Sequence, residues 1–136
     1  MNTQYIVHQP SIHTTCYYDD NKHKTLHRED GPAYIKENEQ RWYIDGNLHR
    51  EDGPAVIKLI GKSSEVTCNE WYKHNVRHRE DGPAIEWAYG GKFWCLDGVK
   101  LTEQEFLLKT AKETILTMDE IAAKFGVDVS KLKIAK

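Results

Sequence analysis

The chain has 136 residues, and its 19 Lys and Arg residues against 21 Asp and Glu residues give a formal net charge of −2. This length is typical of a single domain that buries a core without disulfides or a metal, and the near-neutral charge gives no general reason to expect nucleic acid or a membrane surface as a partner. No apolar run approaches the roughly 18 residues that a membrane-spanning helix needs.

The chain shows neither a targeting signal nor a disulfide pattern. Residues 1–8 lack the charged-then-apolar pattern of a secretion signal. Cys16, Cys68 and Cys95 are odd in number and widely spaced, which favours reduced thiols. We therefore predict a cytoplasmic protein, located in the host cytoplasm if the source is a virus. The first predicted element is a degenerate opening strand from Thr15 to Tyr18 that caps the repeats after it.

The dominant feature is a heptapeptide, His-Arg-Glu-Asp-Gly-Pro-Ala, that occurs three times. It spans residues 27–33, 49–55 and 78–84, and the longer second spacing is explained by a stretch of loop composition around Gly61 to Ser64. Such self-similarity indicates a repeat fold. In Asp-Gly-Pro, the Asp can accept backbone N–H bonds, the Gly can adopt positive φ and the Pro forbids a ladder hydrogen bond, which predicts a corner. The corner residues expected to be structural are His27, His49, His78, Asp30, Asp52, Asp81, Gly31, Gly53 and Gly82.

A second element recurs between the heptapeptides. Its three copies align without gaps and begin at Trp42, Trp71 and Trp94. Two runs of β-branched and aromatic residues lie just before the first copy and at its start, from Ala33 to Lys36 and from Arg41 to Ile44. They predict the two strands of a hairpin. The Asp-Gly dipeptide at 45–46 predicts a turn with a positive-φ residue, and Asn75 occupies the same slot in the second copy. Stacked hairpins of this kind predict an antiparallel meander over residues 1–100.

From Leu101 onward the composition shifts to helix-forming residues. Thr102 to Glu105 and Thr117 to Glu120 both fit the Ser/Thr-x-x-Glu capping box that begins a helix. The first helix is predicted to carry an apolar stripe of Phe106, Leu107, Ala111 and Ile115. The second helix is predicted to end at Gly126, and a short third helix is predicted from Val129 to Lys133. The predicted fold is therefore mainly β with a C-terminal α part: an antiparallel meander of β-hairpin repeats, capped by two or three short helices within residues 101–136.

The heptapeptide, followed by Trp-Tyr and a turn Gly, resembles the variant form of the MORN repeat. The resemblance covers roughly Tyr17 to Phe106, about two-thirds of the chain, and the array ends at Leu101 because no further His-Arg follows. It implies a β-hairpin repeat fold and an interaction module, and it supplies no catalytic residues. Because such repeats are common in small phage and giant-virus proteins, it also implies a phage-encoded factor that binds and modulates or inhibits a host defence protein.

The repeated histidines invite a comparison with metal sites. Equivalent residues of a two-strand repeat lie about 9–10 Å apart, whereas metal ligands converge within ~2.0–2.6 Å of one ion. His27, His49 and His78 are therefore predicted to form a ladder in which each imidazole bonds a neighbouring repeat's turn. With no phosphate-binding loop or nucleophile motif either, we predict a non-enzymatic protein without metal or cofactor.

The rows of arginines and aromatics are the candidate partner surface. Each Arg is followed directly by Glu and Asp, so we expect the charges of this row to cancel and the arginines to form ion pairs between repeats. Alternation places the three Trp on one side of the sheet, where the C-terminal helices are predicted to cover them, and the Tyr on the other. Because Tyr is favoured at interface centres, the predicted protein-binding residues are Tyr43, Tyr72, Arg28, Arg50 and Arg79.

Two other functions fit parts of the sequence. The tail from Ile121 to Ala135 matches a helix-turn-helix pattern, in which Asp128, Val129, Ser130 and Lys133 would face DNA. Residues 101–136 carry six Lys against six Asp and Glu, which disfavours that reading. The second alternative is that the protein binds a small nucleotide or signalling ligand in a pocket between the aromatic rows and the arginines. Oligomeric state is not indicated by the sequence.

Overall fold

The computed structural model describes residues 5–19 and 25–111, which form thirteen strands and one helix. The elements are β1 (Tyr5–Ser11), β2 (Thr14–Asp19), β3 (Tyr34–Lys36), β4 (Glu39–Arg41), β5 (Tyr43–Ile44), β6 (Asn47–Leu48), β7 (Val56–Leu59), β8 (Val66–Glu70), β9 (Tyr72–Lys73), β10 (Val76–Arg77), β11 (Ile85–Trp87), β12 (Lys92–Leu96), β13 (Val99–Leu101) and α1 (Glu103–Thr110). The predicted mainly β fold with a C-terminal α part is confirmed. The predicted second and third helices lie outside the described residues.

Nine of the strands form one antiparallel sheet in the order β1-β2-β3-β4-β7-β8-β11-β12-β13. The remaining four form two short hairpins, β5–β6 and β9–β10, that stand outside this sheet. The first two repeats therefore contribute two hairpins each instead of the single predicted one, whereas in the third repeat β12 pairs with both β11 and β13 within the sheet. The predicted strand from Arg41 to Ile44 is wrong in this respect: the chain leaves the sheet at Trp42, so Arg41 ends β4 and Tyr43 begins β5.

The turns of the two short hairpins and the turn between β12 and β13 have the backbone that their sequences predict. Asp45 and Gly46 have φ values of 48° and 78°, and Asp97 and Gly98 have 47° and 80°. In the middle copy His74 and Asn75 take the same two positions at 49° and 66°. Two consecutive positive φ values define the type I′ turn, whose twist matches the strands that it joins. The assignment of Asn75 to the slot of the glycines is confirmed.

The opening of the sheet contains one strand more than the sequence indicates. The predicted strand at Thr15 to Tyr18 lies within β2, which pairs with β3 on one side. On its other side β2 pairs with β1, whose register shifts between His8 and Ser11. Strand β1 lies outside the repeats, and its sequence carries only a partial strand signal: Tyr5 to Val7 is an aromatic and β-branched run, whereas Pro10 lowers the β propensity of the second half.

The core is narrow and repeats with the sequence. The alanine that ends each heptapeptide is fully buried, and its carbonyl accepts the backbone N–H of an aromatic residue one repeat earlier, in the pairs Tyr17–Ala33, Trp42–Ala55 and Trp71–Ala84 at 2.7–2.8 Å. A row of paired residues crosses the sheet beside them, namely Cys16, Tyr34, Arg41, Val56, Glu70, Ile85 and Phe93. Directly paired residues point to one face, so this row contributes a single side of the sheet to the core.

Helix α1 closes the end of the array. Thr102 and Glu105 form the predicted capping box: the Thr102 hydroxyl accepts the Glu105 N–H at 3.2 Å, and the Glu105 carboxylate accepts the Thr102 N–H at 2.8 Å. Of the three described residues of the predicted apolar stripe, Phe106 is buried, Leu107 is 57% exposed and Ala111 is also exposed, while Ile115 lies outside the described residues. In the described part of the chain, no helix is long and apolar enough to cross a bilayer.

Replacing Thr102 with Ala is expected to destabilise the protein by about 1 kcal/mol, because the first turn of α1 loses its side-chain acceptor. Urea denaturation of the two proteins measures the difference. Gln104→Ala in the same exposed turn is the control and should change stability little, because Ala is a strong helix former. Equal losses in both variants would contradict the role of the cap.

Candidate partner-binding groove

The arginine of each heptapeptide lies over an aromatic ring that precedes its corner in the chain. The guanidinium carbon is 4.0 Å from the ring centroid of Tyr17 for Arg28, 4.1 Å from that of Trp42 for Arg50, and 3.8 Å from that of Trp71 for Arg79. Stacking of this kind is favourable because the cation faces the negative π surface. A cation–π contact therefore joins successive repeats, in addition to the backbone hydrogen bonds of the buried alanines.

The same arginines close their own corner by hydrogen bonds. In each heptapeptide Nε donates to the Asp two residues later at 2.7–2.8 Å, and Nη1 donates to the carbonyl of the Pro at 3.1–3.3 Å. The ion pairs thus lie within a repeat, and the expected pairing between repeats is wrong. The three Arg side chains are only 18–23% exposed, so most of their surface is already used by the fold.

The corner glycines are required by this arginine and not by backbone conformation. Positive φ occurs at other glycines of the described chain, and Gly31, Gly53 and Gly82 are not among them. A Cβ at these three positions would lie 2.9–3.0 Å from the Cζ of Arg28, Arg50 or Arg79. The prediction that the corner glycine supplies positive φ is therefore wrong: it supplies room for the guanidinium, which is held between the glycine backbone and the aromatic ring.

Each heptapeptide histidine accepts a hydrogen bond from the turn that follows it in the same repeat, so the predicted bond to a neighbouring repeat's turn is wrong. The Nδ1 atoms of His27, His49 and His78 accept the backbone N–H of Asp45, His74 and Asp97 at 3.0, 3.2 and 3.0 Å. Their side chains are 11–13% exposed. Within residues 5–19 and 25–111, no three His, Cys, Asp or Glu side chains are grouped so that they could hold a metal ion.

The carboxylates of the corners, in contrast, face solvent. The side chains of Glu29, Glu51 and Glu80 are 66–80% exposed, and their Oε1 atoms lie 3.3–3.8 Å from the Nε2 of the corner histidine. A hydrogen bond from the arginine lowers the pKa of Asp52 and of Asp81, which keeps both ionised. Because one Arg meets two carboxylates, each corner carries an excess negative charge, and the expected self-neutralised row is in fact acidic.

Clefts lie between successive corners. The larger, about 840 Å³, is bounded by residues 50–54 and 78–81, with Trp71 to Lys73 between them. The smaller, about 480 Å³, lies between residues 28–32 and the second corner. Both clefts include Arg50 and Asp52, so they adjoin at the middle corner, and together they are called the corner groove.

Of the two tyrosines predicted at the partner surface, only Tyr72 lines the corner groove. Its hydroxyl donates to Glu70 at 3.1 Å and accepts from Arg77 at 2.8 Å. Lys58 donates to the same Glu70 carboxylate at 2.6 Å. This network fixes the ring of Tyr72 from the side of the sheet. Tyr43, at the equivalent position of the first repeat, is half-buried and is not a lining residue.

The tryptophan row is covered differently from the prediction. The arginine of the following corner covers Trp42 and Trp71, whereas Trp94 has no following corner. Phe106 of α1 packs there instead, with 4.7 Å between the ring centroids. The described helix therefore replaces one missing arginine and does not cover the whole row.

The cysteines do not contribute a reactive group to the groove. All three are buried free thiols. Burial raises the pKa of Cys68 and of Cys95, which disfavours the thiolate. Cys95 is 2% exposed and its Sγ donates to the Arg77 carbonyl at 3.2 Å, so it is a packing residue at the slot that Tyr43 and Tyr72 occupy in the other copies.

The middle repeat differs from the others at the histidine contact. Asp45 and Asp97 place a carboxylate oxygen 3.2 and 2.9 Å from the Nδ1 of His27 and His78. In the middle copy His74 takes that place, and its ring centroid is 4.2 Å from that of His49. Burial, and then the charges of His74 and Lys73, lower the pKa of His49 more than Glu51 raises it.

His74→Asp is expected to make the protein less sensitive to acid. A folded pKa of His49 below its ordinary 6.5 means that the unfolded chain binds protons more readily, so stability is lost as pH falls below about 6.5. The Asp supplies the carboxylate found in the other repeats and should reduce the loss between pH 7.5 and 5.0 by about 1 kcal/mol, the size of a well-screened charge interaction. Urea denaturation at both pH values measures it. His13→Asp in the exposed β1–β2 turn is the control, and an equal gain there would contradict the assignment.

Comparison of the chain with protein-family models, with characterised proteins and with solved structures found no match. The likeness to variant MORN repeats accordingly rests on the heptapeptide and the Trp-Tyr element alone.

Proposed function

We propose that this chain is a non-enzymatic protein-interaction module that holds an extended segment of a partner protein in the corner groove. The observation that carries the proposal is that the side chains of each heptapeptide fall into two groups, those that make contacts within the array and those that face the groove. The arginine and histidine are committed to contacts that build the array, while the glutamate and aspartate remain at the rim of an open groove. Repetition of this arrangement produces an elongated surface, which suits an extended ligand better than a compact one.

The size and lining of the groove support the proposal. Its larger cleft is within the range of ligand-binding sites, about 300–1,000 Å³, but it is open along its length. Trp71 and Tyr72 supply aromatic surface, and aromatic residues are enriched at protein interfaces. The arginines of the larger cleft are unsuited to bind phosphate, because Arg50 and Arg79 are already paired with Asp52 and Asp81, which leaves Lys73 as its exposed cation.

The resemblance to variant MORN repeats supports a more specific form of the same proposal. In that form the chain is a phage-encoded factor, and the partner is a host defence protein that it inhibits. The residues of the DNA-binding alternative, Asp128, Val129, Ser130 and Lys133, lie outside the described residues.

Site-specific photo-crosslinking in a lysate of the native cell tests the proposal. A photoreactive amino acid replaces Glu51 or Glu80 at the groove rim, or Glu65 in the loop at the opposite end of the β7–β8 hairpin. We expect both rim positions to capture the same protein and the loop position to capture none of it. Equal capture from all three positions, or none from the rim, would contradict the proposed function.

A further inference from the structure

We infer that the segment bound in the corner groove is basic and adopts a polyproline II conformation, with Lys or Arg at every third residue. This inference rests on the proposed function and adds the chemistry and spacing of the partner. It follows from the period of the corners, from their charge and from the aromatic lining between them.

The period of the corners matches that of a polyproline II helix. The corners precede β3, β7 and β11, which are two strands apart in the sheet order. With strands about 4.8 Å apart, successive corners are about 9.6 Å apart. A polyproline II helix has three residues per turn and rises about 3.1 Å per residue, so every third side chain returns to one side after about 9.3 Å. In a β-strand, residues three apart point to opposite faces instead.

The charge of the corner edge selects a basic segment. The three heptapeptides and the turns at 45–46, 74–75 and 97–98 together hold eight carboxylates and three arginines. The arginines are each bonded to an aspartate, whereas Glu29, Glu51 and Glu80 remain mostly exposed at one per corner. The whole chain has a net charge of only −2, so the acidic charge is concentrated here. A row of carboxylates at this period complements a row of cations at the same period.

The surface between the carboxylates suits prolyl or other extended residues. Trp71, Tyr72 and Pro54 line the larger cleft. Grooves lined by aromatic rings bind polyproline II segments because the ligand loses little conformational entropy on binding. Lys73 also lines this cleft and is exposed, so it is the one residue there that opposes a basic ligand. Lys73→Glu should therefore tighten binding.

Three fluorescein-labelled nonapeptides test the inference by fluorescence anisotropy with the full chain at low salt. The first is Lys-Pro-Pro repeated three times, the second has three Lys followed by six Pro, and the third is Glu-Pro-Pro repeated three times. We expect the first to bind about fivefold more tightly than the second, which has the same charge, and the third not to bind. Glu51→Lys and Glu80→Lys should each weaken the first peptide about fivefold, and Glu65→Lys should leave it unchanged. Thermal melts establish that the variants fold.

The contrary outcomes are distinct. Equal affinity for the two lysine peptides would contradict the inferred spacing of one cation at every third residue. Tighter binding of the glutamate peptide or of a single-stranded oligonucleotide would contradict the inference that the bound segment is basic. If no peptide binds while positions 51 and 80 still crosslink one protein, the inference fails and the proposed function stands. If those crosslinks are absent as well, the proposed function fails with it.

Discussion

Gly82→Ala is expected to destabilise the protein by about 2 kcal/mol, and this loss should disappear in a protein that also carries Arg79→Ala. A Cβ at Gly82 would lie 2.9 Å from Cζ of Arg79. The guanidinium cannot retreat without leaving the Trp71 ring and its hydrogen bonds to Asp81, Pro83 and Glu86 at 2.7–3.1 Å. A cation–π contact and charge-assisted hydrogen bonds of a partly buried group together account for a loss of this size.

Urea denaturation of the two single variants and the double variant measures the coupling. Arg79→Ala alone should cost about 2–3 kcal/mol, since it removes the same contacts. In that background Gly82→Ala meets no guanidinium and a backbone without positive φ, so it should be neutral or slightly stabilising. Gly61→Ala is the control: Gly61 has a φ of 50° and open space around it, so its cost is independent of Arg79. Additive losses of stability in the Gly82→Ala and Arg79→Ala variants would contradict the packing of the Arg79 guanidinium between the Gly82 backbone and the Trp71 ring.

The features that could be predicted from the sequence are the local and repeated ones. The I′ turns at Asp45-Gly46 and Asp97-Gly98 and the capping box at Thr102 depend on neighbouring residues only, and short-range chemistry determines them. The meander followed from three copies of one heptapeptide. The second hairpin of the first two repeats did not, because a run such as Arg41 to Ile44 reads as one strand unless the pairing partner of each half is known.

The reasons for individual corner residues depend on contacts that cross repeats. Glycine before proline suggests a turn, yet Gly53 is needed because Arg50 must stack on Trp42, which is eight residues earlier. The polar network around Tyr72 was also missed, although the sequence held a signal. Glu70 aligns with Arg41 and Phe93, so the three copies differ most in charge at a position that is buried in the middle copy.

Glu70→Ala is expected to have the largest effect among the substitutions considered, a loss of about 3 kcal/mol. Glu70 is 8% exposed, and it bonds Lys58, Tyr72 and Arg77 at 2.6, 3.1 and 3.4 Å. Removal of the carboxylate leaves Arg77 with a buried Nε that already has no partner and with only the Tyr72 hydroxyl for Nη2. Loss of one member of a buried charged network costs more than the net value of the pair. Glu65→Ala, in an exposed loop, is the control and should change stability by less than about 0.5 kcal/mol.

The effect of breaking the charged network in Glu70→Ala can be separated from the effect of losing side-chain volume. Position 77 is Leu48 in the first repeat, so Glu70→Leu combined with Arg77→Leu replaces the charged pair with apolar residues, one of which the fold already accepts at the equivalent site. We expect the double variant to recover most of the stability lost in Glu70→Ala, because no buried charge remains unpaired. It should not recover binding of the lysine-proline peptide, since the hydroxyl of Tyr72 has lost both partners that hold its ring at the groove. A double variant as unstable as Glu70→Ala would mean that packing, and not the charged network, is responsible.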